Sequence, residues 1–133
     1  MVKKQPQVGV GALLLNDRQE VLLVLRKKAP DPHCWSLPGG KVEWLETIEQ
    51  ATIREIKEEV NLDIQLEKLI CVTNHLLPEE DVHFICPTFS ATIVAGEIVN
   101  NEPEKLADIR WFPITDLPDN LTYTTSYPLS LLA

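Results

Sequence analysis

Gly40-Lys-Val-Glu-Trp-Leu-Glu46-Thr-Ile-Glu-Gln-Ala-Thr-Ile-Arg54-Glu55-Ile-Lys-Glu58-Glu59-Val-Asn61-Leu62 is the stretch from which the rest of the chain is read. Glu55, Glu58 and Glu59 stand at i, i+3 and i+4; at about 100° per residue they share one face of a helix. Like charges so close repel one another, and the last two also meet the negative pole of the helix dipole. Such an arrangement is unfavourable unless something positive binds there. A solvated charged face is the usual explanation of a Glu-rich helix, but the angular positions argue against it. Gln50, Arg54 and Lys57 mark the wet side, and Ile53, Ile56 and Val60 an apolar stripe. Glu55 and Glu59 continue the side that begins with Ile48, Ala51 and Thr52, so they are expected to face a wall of the protein.

The ends of the helix are also legible. Thr47 followed by Gln50 fits a capping box, and Asn61 stands where a left-handed residue closes a helix. These signals predict a helix over 48–60. Ahead of it, Trp35-Ser-Leu-Pro38-Gly39-Gly40 reads as a rigid turn whose paired glycines let a ligand approach the backbone.

The flanking sequence supplies strands. Residues 8–15 and 21–26 read as two strands joined at Asn16-Asp17; 64–75 and 82–98 read as longer strands, the second interrupted by Pro87, which suits an edge or a bulge. Arg110-Trp-Phe112 reads as a short strand, and Thr115-Asp-Leu-Pro118 as a turn or helix start. At 133 residues, with no repeat or linker, the chain is expected to be one domain over 1–133. The polar Met1-Val-Lys-Lys start and the lack of a bilayer-length apolar run suggest a cytoplasmic protein with no membrane partner. Cys34, Cys71 and Cys86 are scattered, which favours reduced thiols over disulfides or zinc. His33, His75 and His83 look isolated, with surface or supporting roles. A net charge of −8 counts against a nucleic-acid polymer as partner, though not against a small phosphorylated molecule. Arg26, Lys27, Lys28 and Lys41 flank the glutamates in sequence, and one of Arg26 and Lys27 is expected to hold a phosphate.

The stretch from Gly40 to Leu62 resembles the Nudix hydrolase signature G-x5-E-x7-R-E-U-x-E-E-x-G-U, where U is aliphatic: Gly40, Glu46, Arg54, Glu55, Ile56, Glu58, Glu59 and Leu62 fall in register. Asn61 replaces a glycine, and Leu45 stands where many members have another. The resemblance implies an α/β fold, the Nudix α/β/α sandwich with a mixed sheet between helices. It implies Mg²⁺, with Mn²⁺ as a substitute, held by Glu55, Glu58, Glu59 and the Gly39 carbonyl. Glu46 would be an outer ligand or helix-positioning group. Arg54 would orient the glutamates, and Glu55 is the first candidate for the general base. Asn101-Glu102-Pro-Glu-Lys105, followed by Trp111-Phe112, resembles a segment of the nucleoside-triphosphate branch, which adds Glu102 to the candidate metal ligands. Gly40, Lys41 and Trp35 join Arg26 and Lys27 as candidate substrate contacts, Trp35 either as a base-stacking ring or, instead, as a core or loop-anchoring residue. The reaction implied is hydrolysis of a nucleoside triphosphate to monophosphate and pyrophosphate, with a homodimer as the expected assembly. Pro78, beyond the box, resembles a proline of the ADP-ribose branch and makes an ADP-sugar pyrophosphatase the alternative. A non-catalytic nucleotide-binding domain would be expected to have lost a box glutamate, and all four are kept.

Overall fold

Val21-Leu-Leu-Val24 shows no polar alternation, the pattern of a strand covered on both faces, and these four residues are at most 1% exposed. The structure, a computed structural model, describes residues 4–132. In chain order it contains β1 (Gln7–Leu14), β2 (Glu20–Arg26), β3 (Trp35–Ser36), β4 (Gly39–Lys41), α1 (Ile48–Val60), β5 (Asp63–Leu77), β6 (Val82–Ala95), β7 (Leu106–Pro113) and α2 (Tyr123–Ser130). One sheet has the order β4-β1-β6-β5, with β1 and β6 parallel and the other pairs antiparallel. A second, antiparallel sheet has the order β3-β2-β7.

Alternation along β1 and β2 divides the core in two. Ala12, Leu14, Leu22 and Val24 pack with Ile56 and Val60 of α1, while Leu13, Val21 and Leu23 pack with Leu129 of α2. The strands therefore lie between the helices in an α/β/α sandwich. Among the described residues, no helix is long and apolar enough to cross a membrane.

α1 begins and ends where the caps predict. The Thr47 hydroxyl accepts from Gln50 N, the Gln50 side chain accepts from Thr47 N, and Asn61 takes a left-handed φ of 66°. Asn61 Nδ2 also donates to Glu97 O at 3.0 Å, a bond that a glycine could not make.

Four expectations are corrected. The Gly39-Gly40 segment is no turn: it is strand β4, paired with Gly11 and Val10 of β1. Pro87 is not on an edge strand, because β6 lies between β1 and β5. Its lost donor is accommodated by a gap in the ladder, since no pairing joins β1 to β6 between Val8–Ile85 and Gly11–Thr88. Ile53 is 43% exposed, so the apolar stripe runs through Ala51, Thr52, Ile56 and Val60 instead. Arg54, expected on the wet side, is half-buried among carboxylates.

Leu45 is held at φ 65° in the left-handed region while 86% exposed. A side chain there costs about 1–2 kcal/mol, and no burial offsets it. Leu45→Gly should therefore stabilise the protein by up to about 1 kcal/mol after the added entropy of the unfolded chain is subtracted. Reversible urea unfolding would measure it, and a lower midpoint for the glycine variant would show that Leu45 makes contacts outweighing its strain.

Candidate functional site

α1 and β4 together make one end of a cavity of about 680 Å³. Glu59, in the last turn of α1, is only 7% exposed, and its Oε1 accepts from the Gly39 amide at 3.0 Å. Glu55, one turn earlier, lies so close to Gly40 that a Cβ there would collide with its carboxylate; a Cβ on Gly39 would collide with Val10 O. The two glycines thus let β1, β4 and two glutamates share a space that no side chain could enter. Thr125 of α2 fixes the approach to β4 by accepting from Leu37 N at 2.9 Å.

Arg54 is the hub of the remaining charge. Its Nε and Nη2 donate to both oxygens of Glu46 at 2.7 and 2.9 Å, a bidentate pair. Its Nη1 donates to Glu55 at 2.7 Å and to Glu58 at 3.0 Å, and Nη2 also reaches Lys41 O at 3.0 Å. Part of the positive charge that the glutamates need is therefore internal. It holds the Glu46 carboxyl down to about 2, and the guanidinium itself is pushed further towards its charged form.

Glu59 lies beyond this network. Burial pushes its carboxyl up to about 8; the Gly39 amide opposes the rise, Glu102 and Glu55 add to it, and Arg26 pulls weakly the other way. Burial likewise raises Glu55, against the pull of Arg54. Glu55, Glu59 and Glu102 all line the same end of the cavity, so the donors there are oxygens and the local charge is negative. Among the described residues no group of three or more His, Cys, Asp or Glu is arranged to hold a metal ion by itself. Oxygen donors and negative charge are what a hard divalent cation takes, sharing one or two carboxylates with water and phosphate.

The other predicted site residues fall into two groups. Arg26 and Lys41 line the cavity, and Arg26 Nε also donates to Pro30 O at 2.7 Å, bracing the loop between β2 and β3. Glu102 lines it too, paired with Lys105 at 3.3 Å. Lys27 is turned away, donating to Pro103 O at 2.6 Å. Glu58 is 56% exposed at its side chain and held by Arg54, outside the cavity lining. Trp35 does not reach the cavity: it is buried in the core, edge-on to Phe112 at 4.7 Å between ring centroids. Sequence reasoning missed Asp31, Phe84 and His75, which line the cavity. His75 is not isolated, because Asp31 Oδ2 lies 2.7 Å from its Nε2. Alternation along β5 and β6 was the one available signal for Phe84 and His75; nothing in the sequence marks the partner 44 positions away.

In the metal-free protein, Glu59 and Glu46 act on stability in opposite senses. The Glu59 carboxyl keeps its proton up to about 8 in the fold and only to 4.5 by its ordinary value. Its contribution is complete below about 4.5 and is lost as pH rises through 8. The Glu46 contribution is present above 4.5 and lost as pH falls towards 2. Between pH 5 and 8.5, in chelator, the wild type should lose stability on the order of a few kcal/mol through Glu59. Glu59→Gln should flatten that slope in thermal melts; parallel slopes for the two proteins would remove Glu59 as its cause.

Comparison with known proteins agrees with this geometry. The NUDIX domain family model matches residues 5–131. An ADP-ribose pyrophosphatase of Methanocaldococcus jannaschii is 36% identical over 115 residues, covering 85% of this chain and 65% of that protein. A putative 8-oxo-dGTP diphosphatase of Bacillus subtilis is 33% identical over 110 residues, 83% of this chain and 68% of that protein. Among solved structures, a MutT NUDIX hydrolase from Burkholderia pseudomallei superposes with a TM-score of 0.89 at 41% identity, over 97% of this chain and 99% of its own. With the helix, its caps and its carboxylates in the register of the signature, the chain belongs to the NUDIX family of hydrolases.

Proposed function

We propose that this protein is a Mg²⁺-dependent hydrolase that cleaves the diphosphate linkage of a nucleoside diphosphate derivative, and that a nucleoside or deoxynucleoside triphosphate, split to monophosphate and pyrophosphate, is its substrate. The observation that carries the reading is Glu59: a carboxyl buried beside Glu55 and Glu102, with one amide donor and, among the described residues, no ion-pair partner, at the end of a cavity of nucleotide size. Glu55, Glu59 and the Gly39 carbonyl are the proposed ligands with Glu102 facing them, and Glu58 and Glu46, held by Arg54 outside the cavity lining, would act on the cation through water. When bound, the cation would neutralise the diphosphate and lower the pKa of an attacking water.

The chain's own groups do the rest. Arg54 fixes Glu46, Glu55 and Glu58 relative to one another through five hydrogen bonds, counting that to Lys41 O. Glu55, with one oxygen held by Arg54 and the other against Gly40, is the proposed proton acceptor from water. Arg26 and Lys41, with Lys28 and Lys105 on the same lining, supply positive charge to phosphate oxygens. The activities of the relatives support hydrolysis of nucleotide derivatives, and the match to a putative 8-oxo-dGTP diphosphatase supports a triphosphate. The match to an ADP-ribose pyrophosphatase supports the second reading, ADP-ribose as substrate. A cytoplasmic location is proposed because Cys34, Cys71 and Cys86 are free thiols. A homodimer is proposed with β5 at its interface, since this edge strand exposes Leu69, Val72 and Leu76.

Chelation should abolish hydrolysis and Mg²⁺ or Mn²⁺ should restore it; undiminished turnover in excess EDTA would sink the reading. Release of pyrophosphate from a triphosphate should exceed release of AMP from ADP-ribose in kcat/KM, and the reverse ranking would favour the second reading. Glu55→Gln and Glu59→Gln should each lower kcat by about 10²-fold or more. Glu59→Gln should also leave the metal-free protein as stable or more so at pH 8, because it removes a buried charge without a counterion. Glu46→Gln should destabilise it by breaking the bidentate pair with Arg54. Equal losses of stability in both variants would recast the cluster as architecture.

A further inference from the structure

Strand register builds the other end of the cavity. His75 of β5 stands opposite Phe84 of β6, and Phe84 opposite Gln7 of β1, so the three form a row on one face of the sheet. All three line the cavity. Gly11 of β1 pairs with Gly39, whose amide holds Glu59. Gln7 is four residues before Gly11, about 13 Å along the strand. The floor between the two ends is kept open by Gly9, where a Cβ would lie 3.4 Å from the Phe84 ring and 3.8 Å from Cys86 Sγ. Lys41 Nζ sits 5.8 Å from the Phe84 centroid, near the outer limit of a cation–π contact, on an exposed and flexible side chain that can yield the ring face.

Beside this row, the loop between β2 and β3 presents Asp31 in a left-handed conformation, φ 58°. The loop is braced by three bonds of 2.7 Å: Arg26 Nε to Pro30 O, His33 N to Arg26 O, and Asn120 Nδ2 to His33 O. Asp31 Oδ2 lies 2.7 Å from His75 Nε2, yet that contact lacks hydrogen-bond geometry, and the buried Nε2 has no other partner among the described residues. A braced, half-buried carboxylate thus keeps acceptor capacity on the cavity wall next to an aromatic face. An exocyclic amino group carried on a planar ring satisfies both.

We propose that Phe84 and Asp31 receive the heterocyclic base of the substrate, and that Asp31 selects adenine- and cytosine-type rings, which carry an amino group where hypoxanthine and uracil carry a keto oxygen. The inference rests on the nucleotide-hydrolase reading above and adds a substrate class to it. A keto oxygen at that position would meet the carboxylate lone pair to lone pair. A sugar diol is the other donor that a carboxylate accepts; the row of Phe84 beside it, and the strand-length separation from Glu59, favour a base over the ribose nearer the phosphates.

Matched pairs test the proposal. With Mg²⁺, kcat/KM is compared for ATP against ITP, CTP against UTP, ADP-ribose against its hypoxanthine counterpart, and ATP against dATP. The wild type should favour the amino member of each base pair by about 10-fold or more, the worth of one hydrogen bond to a charged group. Asp31→Asn should bring these ratios within about 2-fold, because a carboxamide offers donor and acceptor alike, and asparagine tolerates the left-handed backbone. Phe84→Leu should raise KM for every base while the amino-to-keto ratios stand. Ratios near one in the wild type, ratios that survive Asp31→Asn, or a loss confined to the ATP/dATP pair would each overturn it. Failure to turn over any of these compounds would overturn the hydrolase reading instead. In that event calorimetric binding of AMP and IMP decides the ring site alone: a preference for AMP abolished by Asp31→Asn upholds it, and equal affinities overturn it.

Discussion

One carboxyl group placed on the buried side of a helix constrains the molecule. Glu59 can lie where it does only if an amide is free to donate to it, which Gly39 supplies, while glycine at 40 leaves room for Glu55 beside it and glycine at 39 lets β1 come close. The strand must also run close against β1, and its pairing with Gly9, Val10 and Gly11 meets that need. The cost of the buried charge falls on the metal-free fold. The hydrophobic contacts of Ile56 and Val60 on either side hold the helix in place regardless.

The helix was legible because its signals are local. A capping box, a left-handed asparagine and glutamates at i, i+3 and i+4 lie within one short window, and each has a single geometric meaning. The α/β/α arrangement was legible only through the family resemblance carried by the Gly40–Leu62 stretch and the order of the elements; the uninterrupted apolar run of β2 agrees with it. Strands β3 and β4 were not, because three residues or fewer, two of them glycine in β4, carry no periodicity and read as a turn. The position of Arg54 was misread for a related reason. An arginine between isoleucine and glutamate looks solvated, and only the loop around Glu46, folded back on the helix, makes it a half-buried hub. Asp31 with His75 was out of reach, since the pairing joins a loop to a strand far along the chain. Trp35 was open to two readings, a ring for a base or a core anchor, and β3 turns it into the core.

The same division explains why the signature speaks to the reaction and hardly to the substrate. Box residues, Arg54 included, are spent on the carboxylate end of the cavity, while its floor is backbone, Gly9 and Gly11 of β1 beside Gly39 and Gly40 of β4. A floor of glycine backbone is open to many ligands and discriminates among few. Selectivity must then come from what stands at the far end and on the walls: the β2–β3 loop with Asp31, the row of Gln7, Phe84 and His75, and the cations Arg26, Lys28, Lys41 and Lys105. These lie outside the helix or, for Lys41, at its approach, and they can vary while its glutamates stay in register, although Arg26 pulls weakly on Glu59. A chain can therefore keep every glutamate of the box, resemble both an ADP-ribose pyrophosphatase and a putative 8-oxo-dGTP diphosphatase at about one-third identity, and set its own choice of base by a single carboxylate on a braced loop.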